Sequence, residues 1–137
     1  MGADGYPAKL WNAETGVIDP AVAKYWCKHY DLTGLLERDW HVFGPKLVGK
    51  LHVTMGTKDT YYLDAAAHRL EQFLESTKLP GKGPYYGGSF EFGNNEPHGY
   101  DGNIPAGRPL FTHYLLIFAK YMTNMVPSGA DVKSWLP

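Results

Sequence analysis

Leu51-His-Val-Thr-Met-Gly-Thr-Lys-Asp59 and Phe90-Glu-Phe-Gly-Asn-Asn-Glu-Pro-His98 are the two stretches on which the fold turns. In the first, Leu51, Val53 and Met55 alternate with His52 and Thr54, the period of a strand with one face buried. Gly56-Thr-Lys-Asp59 follows as a turn. The second repeats the plan: Ser89 to Phe92 reads as a short strand, and Gly93 to Gly107 as a long polar loop.

Between them, Ala67, Leu70, Phe73 and Leu74 recur at helical spacing over Ala65 to Ser76, with Asp64 placed to cap the first turn. A strand, a helix and a second strand in that order predict a parallel pair joined by a right-handed crossover, hence an α/β fold class. The loops leaving the carboxyl ends of such strands then lie on one edge, where open α/β sheets hold their ligands. Asp59 and His98, 39 positions apart, sit in those two loops.

Working outward, Asp19-Pro20 announces a helix over about 20 to 30, since aspartate accepts from first-turn amides and proline at the first position loses no needed donor. Val22, Tyr25, Trp26 and Tyr30 form its apolar face. A second helical piece is expected over Leu32 to Trp40, closed by a turn at Gly44-Pro45. Residues 1 to 18 read as an extended lead-in packed by Tyr6, Leu10 and Trp11. Pro109 to about Met125 reads as a final buried helix, because its apolar run falls short of the ~20 residues that a membrane span needs.

Residues 1–137 have the length of one domain, with 44% hydrophobic and 15% aromatic residues to build a core. A net charge of −1 gives no basic surface for nucleic acid and no electrostatic attachment to a membrane. The first residues lack the basic and apolar regions of a signal peptide, and the compartment stays open. Cys27, the one cysteine, reads as a buried structural thiol. The six histidines show no His-x-x-x-His spacing and no cysteine pair, leaving Asp101 near His98 as the one local hint of a metal site. No Gly-x-Gly-x-x-Gly or Walker-type loop calls for a nucleotide, so no cofactor is expected.

Asp59 and His98 each have an ordinary reading, a turn aspartate and a loop histidine. Paired at the ends of successive strands they form two-thirds of a hydrolytic triad, an aspartate orienting the histidine that activates a nucleophile. Tyr61, Tyr62, Tyr85, Tyr86 and Tyr100 cluster near the two loops in sequence, and Tyr61, Tyr62 and Tyr100 are the candidate substrate-binding residues.

These motifs resemble the α/β-hydrolase fold and its esterase-like members. There the acid follows a late strand in a Gly-x-x-Asp loop, matched by Gly56-Thr-Lys-Asp59, and the histidine follows the last strand, matched by Phe92-Gly-Asn-Asn-Glu-Pro-His98-Gly. Gly2-Ala-Asp-Gly-Tyr-Pro and Ser128-Gly-Ala-Asp-Val-Lys-Ser-Trp also look familiar from that group. The resemblance covers most of the chain but only the C-terminal third of a hydrolase domain. It implies that Asp59 and His98 are the catalytic acid and base, and that a carboxylic ester is the substrate once the upstream part is present. The Gly-x-Ser-x-Gly elbow is missing. Gly87-Gly-Ser89-Phe-Glu91 imitates it poorly, and although Ser89, Asp101 and His113 stand in hydrolase order, they lack room for the intervening strand–helix units.

A chain of this kind is expected to be silent alone and to need a partner chain or an oligomer to cover its sheet edge. The rival reading is a non-catalytic interaction module that uses the open edge or the aromatic loops to bind another protein.

Overall fold

The computed structural model describes residues 5–131, and its chain divides into two compact units after Lys46. Ser134 and the outermost parts of the two terminal segments that carry the resemblance lie outside the described residues.

In the first unit, helix α1 spans Pro20–Tyr30, with Asp19 Oδ1 accepting from the amides of Ala21 and Val22 at 2.8 and 3.1 Å. The predicted cap and start therefore stand. Its apolar face stays uncovered: Tyr25, Trp26 and Tyr30 are exposed, α1 has no buried residue, and Cys27 is exposed rather than buried. In the lead-in Tyr6 and Trp11 are exposed and Leu10 is half-buried. Residues 11 to 18 instead fold back on themselves. Asn12 Oδ1 takes the amides of Glu14 and Thr15, the local bonding that makes asparagine a turn residue, and Trp11 bridges Ile18.

Helix α2 runs over Leu32–Leu47, past the turn expected at Gly44-Pro45. Its irregularity falls at Asp39 (φ −117°, ψ 25°), where two helical pieces meet. Gly44 is there for packing rather than turning. The buried Trp40 indole lies so close that a Cβ on Gly44 would stand 2.7 Å from its ring.

The second unit has the α/β architecture. Strand β1, His52–Gly56, pairs in parallel with β2, Ser89–Gly93, in the register His52↔Ser89 through Gly56↔Gly93. Helix α3, Asp64–Ser76, follows β1 and buries Ala67 and Leu74, while its His68 ring stacks on Phe92 of β2 at 3.9 Å. Asp64 is the first helical residue rather than the cap; Leu63 holds the cap position without a side-chain bond, and the carboxylate still suits the positive helix N-terminus.

Helix α4, Leu110–Asn124, lies against the face of the sheet that carries His52, Thr54, Ser89 and Glu91, where the His52 and Tyr121 rings stack at 3.7 Å. It is not a buried helix: no residue of α4 is buried, and Phe111, Leu115, Phe118 and Met122 are exposed. A two-stranded sheet is too narrow to cover more than one stripe of a helix. The sheet order is β1-β2, so among the described residues each strand keeps one edge with no strand beside it.

Candidate functional site

Asp59 and His98 meet at the carboxyl ends of the two strands. Asp59 Oδ1 lies 2.9 Å from His98 Nδ1. The aspartate side chain is fully buried and the histidine side chain is 48% exposed, so one partner is sheltered while the other faces the surroundings.

The approach is built by the backbone. The loop after β1 is stitched to the loop after β2: Thr57 N donates to Gly93 O at 2.9 Å, Lys58 N to Glu96 O at 2.9 Å, and Asn95 N to Thr57 Oγ1 at 2.8 Å. This contact is possible because β1 ends in glycine. A Cβ on Gly56 would run into the carbonyl oxygens of Glu96 and Pro97. Asn95 takes the left-handed backbone (φ +61°) that asparagine tolerates, which turns the β2 loop back toward β1.

Asp59 is fixed from its other side as well. Oδ1 also accepts from Tyr61 N at 2.8 Å and Oδ2 from Leu63 N at 3.2 Å. Between those two amides Tyr62 holds φ +58°, a conformation that a bulky residue rarely adopts, sustained here by the carboxylate that captures both neighbours. Burial by itself would raise the Asp59 pKa, but the bonds from Tyr61, Leu63 and His98 outweigh it and hold the carboxyl below the ordinary aspartate value.

The sign of the pH dependence follows. A carboxyl depressed in the folded state stabilises the fold above its unfolded pKa of about 3.9, and that stability is lost as pH falls through the lower folded value. The expected result is a loop pair that loosens in that acid window and an acid limb that flattens in Asp59→Asn, measured as urea stability against pH.

Of the three candidate substrate tyrosines, Tyr61 touches the pair, its ring edge-on to the His98 imidazole at 4.6 Å. Tyr62 is 85% exposed. Tyr100 lies in the His98 loop and donates its hydroxyl to Glu91 Oε1 at 2.8 Å, an oxygen that also receives the Asn103 backbone and side-chain N–H groups at 2.9 Å. Glu91 thus ties down the loop beyond His98. Tyr85 and Tyr86 are not at this site. They precede β2, where both donate to Glu75 Oε1 and Tyr86 is buried.

Asp101 Oδ1 accepts from Tyr114 on α4 at 2.8 Å, and among the described residues no group of three or more His, Cys, Asp or Glu side chains is placed to hold a metal ion. Ser89, Asp101 and His113 do not form a relay, because the partner of Ser89 is His52, at 2.8 Å from Oγ to Nδ1. Thr57, Asn95 and Glu91, which carry the loops, were not singled out by the sequence. The Asn94-Asn95 doublet after β2 was the available signal for the turn.

Comparison with protein-family models, with curated proteins and with solved structures finds no match. A buried carboxylate that accepts from Nδ1 assigns the ring proton to that nitrogen and leaves the accepting lone pair on Nε2. That is the arrangement of a histidine poised to take a proton from a hydroxyl.

Proposed function

We propose that this chain supplies the acid and the histidine of an esterase-like serine hydrolase, as the C-terminal part of an α/β-hydrolase-like domain. The observation that carries the reading is the Asp59–His98 hydrogen bond at 2.9 Å, formed by loops at the same end of two parallel strands, with the carboxylate buried and the imidazole half exposed. In the complete site, His98 Nε2 accepts the proton of a serine hydroxyl as the oxygen attacks an ester carbonyl, then delivers it to the departing alcohol. Asp59 keeps the imidazole in the right tautomer and stabilises the imidazolium. The reaction is acyl transfer to water, and Tyr61 borders the acyl or alcohol group through its contact with the His98 ring.

The uncovered strand edges and the exposed side of α4 support the same reading, since both are surfaces that further strands of a larger sheet would cover. The serine and oxyanion donors for this pair belong to that remainder, so the pair turns over no ester in residues 1–137 by themselves.

The test is to read the coding sequence upstream of Met1, express the longer polypeptide and assay it with a p-nitrophenyl ester. A Gly-x-Ser-x-Gly motif upstream and hydrolysis that depends on His98 are the expected results. An upstream region without that motif, or hydrolysis that survives His98→Ala unchanged, contradicts the proposal.

A further inference from the structure

At the other end of β2, independent of the Asp59–His98 pair, stands a second arrangement of nucleophile, base and orienting group. Ser89 Oγ lies 2.8 Å from His52 Nδ1, and His52 Nε2 lies 3.0 Å from the carbonyl oxygen of Gly49. A carbonyl oxygen can only accept, so the neutral ring carries its proton on Nε2 and donates it there. Nδ1 is then the acceptor, and the Ser89 hydroxyl donates to it. The ring plane is fixed by its stack on Tyr121 at 3.7 Å and 15°.

The pair opens on a cavity of about 620 Å³ between the sheet and α4. Ile117, Phe118, Met122 and Met125 give it an apolar wall, and Lys50 and Glu91 line it together with Ser89 and His52. Ser89 is exposed, so an electrophile can reach its hydroxyl. Hydroxyl, adjacent base and a third group that fixes the tautomer are the parts of an activated serine, and the apolar wall gives an acyl chain a place to lie.

We infer that Ser89 is a covalent acyl acceptor, activated by His52, for carboxylic esters with an apolar acyl chain that lies along α4. Ser89 Oγ attacks the ester carbonyl carbon while its proton passes to His52 Nδ1. The bond to the leaving oxygen then breaks, and that alkoxide takes the proton from His52. The products are Ser89 acyl ester and free alcohol, with atoms and charge balanced. This chemistry needs no serine from outside the chain and makes no use of Asp59 or His98.

The test treats the chain 1–137 with a fluorophosphonate probe and with p-nitrophenyl butyrate, mapping the modified residue by peptide mass. One adduct per chain on Ser89 is expected, absent after urea denaturation and absent in Ser89→Ala. In His52→Gln, checked for folding by circular dichroism, labelling should slow by about 100-fold. In His98→Ala it should proceed at the parent rate, which separates this site from the proposed triad pair. An adduct elsewhere, no adduct on the folded parent chain, or Ser89 labelling that matches the rate of the denatured chain overturns the inference. The mapping on the parent chain decides it even if His52→Gln does not fold.

Discussion

Gly56→Ala is expected to destabilise the second unit by roughly 3 kcal/mol and to part the two loops. Gly56 is buried at the end of β1, and the added Cβ would occupy the space of the Glu96 and Pro97 carbonyl oxygens. Those are backbone atoms within the stitched segment that Lys58 N and Asn95 N hold against β1, so they cannot swing aside as a side-chain tip would. Relief requires the His98 loop to move away as a body, which breaks the 2.9 Å contact to Asp59. Urea denaturation measures the first effect, and the nuclear Overhauser contact between the His98 ring and Tyr61 measures the second. A loss below ~1 kcal/mol with that contact retained would mean that the close approach of the loops does not depend on glycine.

The second large effect concerns rate. On the proposed reading, in a polypeptide that completes this pair with a serine, Asp59→Asn is expected to lower kcat for a p-nitrophenyl ester by about 10⁴-fold with little change in KM. The reason lies in hydrogen-bond chemistry. Asp59 Oδ1 faces both Tyr61 N and His98 while Oδ2 receives Leu63 N, so an asparagine that keeps its carbonyl oxygen on Leu63 N turns its amide toward His98. The amide donates where the carboxylate accepted, so Nδ1 becomes the acceptor and Nε2 takes the proton. The ring is then in the tautomer that cannot accept from a serine. His98→Ala should cost about as much, and the double variant little more than either alone, because the two residues act as one unit. Additive losses would show that Asp59 and His98 work separately.

The strand pattern Leu51-His-Val-Thr-Met and the cap Asp19-Pro20 could be read from the sequence because both are local: alternation marks a half-buried strand and the cap satisfies amides within one turn. The parallel pairing followed from element order, and with it the placing of Asp59 beside His98. Where tertiary packing overrides local preference, the reading failed. Gly44-Pro45 looks like a turn, yet the Trp40 indole needs the bare backbone of Gly44 and the helix continues. Cys27 and the apolar residues of α4 look like core, yet burial is set by what surrounds a helix, and here little does. Tyr85 and Tyr86 lie close to the loops in sequence but pack at the far end of the sheet. The Ser89–His52 contact spans 37 positions and depends on the exact strand register, which alternation alone does not reveal.

On the proposed reading, Asp59 holds His98 with its accepting lone pair on Nε2. Nitrogen-15 spectra of the histidine-labelled chain at about pH 9, well above the ordinary imidazole pKa, report that tautomer directly. His98 is expected to carry its proton on Nδ1 in the parent chain and to lose that preference in Asp59→Asn. A parent spectrum with the proton on Nε2, or one that Asp59→Asn leaves unchanged, would contradict it.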